Sequence, residues 1–226
     1  MLVSQAAANN AAWCDLVCRT HGLATSFDEQ AWTSRARTPP YYPDAVTLSP
    51  DVSTTDLLKR IDASPGCSIK DSFAVLDLTP FGFEVLFEAQ WIRRGPAGRP
   101  RTGPTWEVVE TQQRFVAWER AWRGDDGPTD VLRPSLLHHD EVTLLAAGDL
   151  VVAGAILYQS AEVVGISNLF SSTFTPAESW AGGLALVDHL FPDSTLVGYE
   201  TGADLRAAHA AGFETVAPLR VWIHSE

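Results

Sequence analysis

The chain has 226 residues, 46% of them hydrophobic and 19% charged, the balance of a globular protein able to bury a sizeable core. Its longest apolar runs, such as 150–158, fall short of the ~20 residues of a membrane span, and Met1-Leu2-Val3-Ser4-Gln5 lacks the basic region and apolar run of a secretory signal, so a cytoplasmic location is expected. The formal net charge of −12 is concentrated in the second half, where 105–226 carry 6 basic against 17 acidic residues while 1–104 carry 10 against 11; such a field repels nucleic-acid backbones and attracts amines.

In chain order, residues 5–20 read as a helix with an apolar stripe of Trp13, Leu16 and Val17, stopped by Gly22. The run Thr38-Pro39-Pro40-Tyr41-Tyr42-Pro43 cannot be helical, because proline removes a donor and restrains the residue before it, and it is expected to expose both tyrosines. A strand at 45–48, a Ser53-capped helix over 57–61, a partial strand in 67–76 and an alternating strand over 83–92 follow. Cys14, Cys18 and Cys67 form no disulfide framework. Cys14 and Cys18 share a helix face and could hold a metal only with Cys67 and His21 brought to them; buried thiols acting as small hydrophobes explain them more simply, and no metal is expected. His138-His139-Asp140-Glu141 lacks a helical ligand spacing and reads as solvated.

Residues 93–104 hold three Gly, three Pro and four Arg in twelve positions and read as a linker or mobile loop between an N-terminal α/β region, 1–92, and a second region, 105–226. The same arginines are also the one basic cluster suited to meeting phosphates. Beyond it come a strand at 106–110, a helix from 111 or 112 to 123 ended by Gly124, and three antiparallel strands at 141–146, 150–159 and 162–170. A helix over 180–190, a strand at 195–200, a short Ala-rich helix over 203–211 stopped at Gly212-Phe213, and a strand at 219–223 complete the chain.

The succession from Val163 to Ile223 resembles the back half of the GNAT (GCN5-related N-acetyltransferase) superfamily, and the resemblance covers about residues 105–226. It implies an α+β fold, a mixed and mostly antiparallel sheet flanked by helices, with an N-terminal α/β extension or a partial second GNAT-like unit over 45–92. It further implies that 165–170 and 195–200 lie parallel and splay apart to admit the pantetheine arm of an acyl thioester. The family's pyrophosphate loop, Arg/Gln-x-x-Gly-x-Gly/Ala, falls on Glu178-Ser179-Trp180-Ala181-Gly182-Gly183, where the last glycine fits and Glu178 replaces the cation. The glycines would let a helix start approach an oxyanion, or equally let a helix pack closely on a strand. The family's tyrosine acid falls on Ala208, beside His209.

The resemblance therefore assigns donor binding to Leu169, Phe170, Ser171, Gly182 and Gly183, carbonyl-oxygen donors to Ser167 and Asn168, and the base to Glu200, with Glu162 second and His209 nearby. Acyl transfer from acyl-CoA or from the phosphopantetheine arm of an acyl carrier protein to a small-molecule amine is the activity implied. The Glu178 charge disfavours coenzyme A, which carries its phosphates to that helix start, and favours a carrier protein. A catalytically inactive GNAT-fold protein that binds a ligand or partner, and an α+β interaction module with a tryptophan surface, are the alternatives.

Overall fold

The computed structural model describes residues 2–96 and 103–225. Its elements, in chain order, are helix α1 (Leu2–Thr20), strands β1 (Thr25–Phe27), β2 (Ala31–Ser34) and β3 (Ala45–Thr47), helix α2 (Thr54–Leu58), and strands β4 (Ser68–Asp71), β5 (Phe83–Arg94) and β6 (Trp106–Val108). Helix α3 (Gln112–Arg123), strands β7 (Val142–Ala147), β8 (Ala153–Gln159) and β9 (Val164–Ser171), helix α4 (Pro176–Leu190), strand β10 (Leu196–Glu200), helix α5 (Gly202–Ala210) and strand β11 (Glu214–His224) follow. The chain divides into two compact units, Met1–Trp91 with Val216–Glu226, and Ile92–Thr215, passing between them within β5 and within β11.

In the first unit the strand order is β1-β2-β3-β4-β11, antiparallel except for the parallel β3–β4 pair. Ile69, Leu78, Phe83 and Trp222 are buried in one core beneath α2, whose Ser53 cap accepts from the Asp56 N–H as the Ser-Thr-Thr-Asp run leads one to expect. Helix α1 buries the predicted stripe of Trp13, Leu16 and Val17 together with Cys14 and Cys18. Burial pushes the thiols up, to about 11 for Cys14 and about 12 for Cys18 and Cys67, so they stay protonated at neutral pH and pack as small hydrophobic side chains. Among the described residues no group of three His, Cys, Asp or Glu could hold a metal ion. Of the two tyrosines in the Pro/Tyr-rich loop, Tyr41 is exposed and Tyr42 is buried against the Trp13 ring, which corrects the expectation that both face solvent.

The second unit has the order β10-β9-β8-β7-β6. The meander β7-β8-β9 is antiparallel as read from its turns, β6 joins β7 antiparallel, and β9–β10 is the parallel pair. Thr111 caps α3 by accepting from the Arg114 N–H, and Trp118, on the buried face of the same helix, donates from Nε1 to the Leu145 carbonyl at 2.8 Å. Trp106, Ile166, Trp180, Leu184, Val187 and Phe213 meet in the other core.

Arg93 and Arg94, read as the start of a linker, end β5. Arg94 is buried and grips Asp188 of α4 through two bonds of 2.6 and 2.7 Å, and Arg93 meets Glu214 at 2.9 Å. The Arg94 guanidinium is thereby closed to a phosphate, whereas the Arg93 pair is solvent-exposed. Arg99 and Arg101, with the rest of 97–102, lie outside the described residues. The C-terminal residues 216–226, read with the second region, belong to the first unit.

Candidate active site

Strand β9 departs from regular alternation at Asn168, whose φ of 53° is left-handed, a conformation Asn tolerates better than most residues. Ile156 of β8 opposes Ser167 and Gly154 opposes Phe170, so Asn168 and Leu169 together face Ala155, the arrangement of a β-bulge. The parallel register with β10 covers Leu196 opposite Val164 and Val197 opposite Gly165. Past these pairs the two strands have no further register partners in each other; Gly198 still packs on Ile166, and beyond it the ends of the adjacent, parallel strands, at Ser171 and Glu200, separate around a common cavity.

A cavity of about 330 Å³ sits at that separation. Leu169, Phe170 and Ser171 line it from β9, Phe174 from the loop after it, and Pro176, Ser179 and Trp180 from the start of α4. Glu200, at the end of β10, and Asp204, in the first turn of α5, supply its carboxylates. Burial, with the Asp204 charge adding to it, pushes the Glu200 carboxyl up to about 7. A carboxyl at that value exchanges protons at neutral pH, the requirement for a general base or acid.

The other residues singled out from sequence are placed differently. Ser167 and Asn168 are half-buried on the bulge and do not line the cavity. His209 is exposed on α5, 2.9 Å from the Thr215 hydroxyl, and lies outside the lining, as does the exposed Glu162. Ala208 is completely buried in the core, where a tyrosine ring would have no room.

The glycine pair is corrected by position. Helix α4 begins at Pro176, not Trp180, so Gly182 and Gly183 stand in its second turn and beyond, away from the free N–H groups of its start. A Cβ at Gly182 would overlap Trp106 Nε1 and reach 2.6 Å from the Pro104 carbonyl oxygen, and Gly103 approaches the same stretch of helix backbone. Gly182 thus admits the segment leading into β6, the close-packing reading, whereas a Cβ at Gly183 would meet the Trp106 ring at an ordinary 3.8 Å, and neither glycine lines the cavity. The signal missed in the sequence is Thr175-Pro176-Ala177-Glu178: a capping residue, proline at the first helical position, and glutamate at the third. Thr175 Oγ1 accepts from the Glu178 N–H at 3.3 Å, and the Thr175 N–H and hydroxyl donate to Glu178 Oε2 at 2.9 and 2.8 Å. These bonds hold the Glu178 carboxyl below the usual carboxylate range, so a fixed anion occupies the helix start.

No protein-family model matches the chain, and no curated protein does. Among solved structures, a GCN5-related N-acetyltransferase from Kribbella flavida is similar over 96% of this chain and 95% of its own, with TM-score 0.63 and 14% identity. A protein from Novosphingobium aromaticivorans assigned to the GNAT family of acetyltransferases is similar over 95% and 96%, with TM-score 0.60 and 10% identity. A conserved protein of unknown function from Staphylococcus epidermidis follows over 90% and 95%, with TM-score 0.53 and 8% identity. The chain has the GNAT fold, and the likeness extends through the N-terminal region as well as the region that carried the sequence resemblance.

Proposed function

We propose that the protein is a GNAT-type acyltransferase that moves an acyl group from a pantetheine thioester to the nitrogen of a small-molecule amine. The observation that carries this reading is Glu200: a partly buried carboxyl raised to about 7, at the end of a strand that separates from its parallel neighbour, on the wall of a cavity. The edge of β9 from Leu169 to Ser171 is suited to the donor arm, because an extended amide-bearing chain pairs with strand backbone that has lost its neighbour. The donor supplies the activated acyl carbon.

Glu200 takes the proton that the acceptor's ammonium must lose before its nitrogen can attack. As the carbon–nitrogen bond forms, the carbon–sulfur bond breaks, and the thiolate leaves to be protonated by water. The apolar walls Leu169, Phe170, Phe174 and Trp180 border the reacting groups with low-dielectric material, which strengthens the charge interactions beside them. An ADP group is poorly served at the start of α4, since Glu178 and Thr175 use each other's donors and leave a negative charge there. A carrier protein, which presents the arm without ADP, is accordingly the preferred donor.

A second reading, a GNAT-fold binding protein without turnover, is favoured by one observation: Ala208 stands buried where the family places its acid. A single-turnover assay with one acyl group on coenzyme A and on a carrier protein, and a panel of amines, separates the two. Transfer to any amine supports the enzyme. Ligand-induced thermal stabilisation by pantetheine with no transfer from either donor identifies the binding protein, and neither effect removes both readings.

A further inference from the structure

Ser171 ends β9 on the wall of the cavity, and its hydroxyl is already committed as an acceptor. The Phe174 N–H donates to Ser171 Oγ at 2.8 Å and the Thr173 N–H at 3.2 Å. A serine hydroxyl carries two lone pairs and one hydrogen. With both lone pairs engaged, what remains to it is the hydrogen, which has no acceptor among the described residues.

The strand sets the side on which that hydrogen is offered. Gly154 opposes Phe170 and Ala153 opposes Ser171, so regular alternation resumes beyond the bulge: Ser171 shares a face with Leu169, while Phe170 turns to the Trp118 ring. Leu169 packs with Trp180 and Phe174 on its face, and there Phe174, Pro176, Ser179 and Trp180 form the cavity wall. Ser171 is half-buried, within reach of an occupant. The other lining hydroxyl is already spent as a donor, since Ser179 Oγ donates to the Thr175 carbonyl at 3.1 Å.

We infer that Ser171 is a specificity-determining residue for the donor: its hydroxyl donates to an amide carbonyl oxygen of the pantetheine arm and so distinguishes an amide-bearing thioester from a plain alkyl one. The assignment rests on the acyltransferase reading, in which the arm lies along the edge of β9 from Leu169 to Ser171. A group bringing only an N–H or O–H to Ser171 finds its lone pairs taken, whereas a carbonyl oxygen meets a donor with no competing acceptor. Donating also polarises the hydroxyl and makes Oγ a better acceptor for the Thr173 and Phe174 N–H groups. The bound arm thereby firms the turn that carries Phe174 into the cavity wall.

Pantetheine and two analogues, each with one amide replaced by a pair of methylenes, test this by calorimetry on the full chain. Ser171→Ala is expected to weaken pantetheine about fivefold, the loss of one neutral hydrogen bond. The analogue lacking the recognised carbonyl is expected to bind parent and variant within about twofold of each other, which closes the double-mutant cycle. Ser171→Thr keeps a hydroxyl and is expected to restore the parent affinity. In the transfer assay the Ser171→Ala loss is expected in KM with kcat unchanged, because the bond lies away from the reacting carbon and is made equally before and during transfer. Equal losses for all three ligands would reduce Ser171 to holding the turn, and no loss for pantetheine would take its hydroxyl out of the donor's path; either overturns the proposal and leaves the acyltransferase reading in place. Absence of pantetheine binding to the parent removes the donor reading itself, and the proposal with it.

Discussion

Buried carboxylates are treated in opposite ways in the two units. In the first, Asp44 is 2% exposed and its two oxygens are taken by the Arg37 guanidinium at 2.7 Å, the Thr38 N–H at 2.9 Å and hydroxyl at 3.2 Å, and the Ser68 N–H at 2.9 Å. Asp71, fully buried, accepts from the N–H groups of Leu76 and Phe73, which offset part of the upward push of burial on its carboxyl. In the second unit Glu200 has no hydrogen bond or ion pair among the described residues, and its only charged neighbour of consequence is another acid. A charge inside a protein is tolerated when it is bonded. Asp44 and Asp71 fasten loops and strand ends; Glu200 fastens nothing, and a fold that keeps such a group does so at a cost in stability, as sites of chemistry commonly do.

Removing each kind of carboxylate breaks the comparison most directly. Asp44→Ala leaves Arg37 and three donors without their acceptor, and is expected to lower the unfolding free energy by about 3 to 5 kcal/mol by chemical denaturation. Glu200→Gln is expected to do the reverse at neutral pH, with a melting temperature equal to or above that of the parent, while transfer falls on the order of 100-fold or more in single turnover. A large loss of stability from Glu200→Gln, or none from Asp44→Ala, would erase the distinction between the two sites.

The pH dependence sharpens the same point. A carboxyl raised from 4.5 to about 7 on folding contributes stability that is complete below about pH 4.5 and is lost as pH rises to about 7. The parent is expected to lose up to about 3 kcal/mol across that window from this group alone, and the loss should be absent in Glu200→Gln. Identical pH profiles for the two proteins would mean that Glu200 is solvated. Smaller still, Glu178→Arg removes the capping box, worth about 1 kcal/mol, and is expected to improve coenzyme A binding about tenfold by calorimetry. His209→Ala, on an exposed helix face, should change stability by less than about 0.5 kcal/mol and transfer by less than twofold.

Much of the fold was legible because its signals are local. Thr111 and Gly124 bracket α3, Gly212 closes the turn after α5, and the short turns of the β7-β8-β9 meander leave antiparallel pairing as the natural solution. Strands β1 and β2, three and four residues long, went unread because β2 is buried on both faces and so shows no alternation. The start of α4 was misplaced because Gly182-Gly183 drew the eye to a loop pattern, whereas the Thr175-Pro176-Ala177-Glu178 signature was present in plain letters. In the site, Glu200, Leu169, Phe170 and Ser171, which the family resemblance assigned, all line the cavity. Trp180 and Asp204 were not assigned, because which face of α4 and α5 meets the gap depends on packing at long range.

The bulge at Asn168 has a consequence for how β9 can vary. Along an uninterrupted strand, odd and even positions keep to opposite faces; one extra residue works on side chains as an inserted base works on a reading frame. Ser167 and Phe170 come to share a face, with Phe170 against the Trp118 ring at 5.2 Å between centroids, while Leu169 joins Val164 and Ile166 in the other core. Deleting Asn168 would set Leu169 alone opposite Ala155 and leave Leu169 and Phe170 on the faces they occupy now, whereas keeping Asn168 but flattening the bulge would send both to the opposite faces. The bulge is therefore what lets this strand carry one residue more than its partner without moving the side chains beyond it.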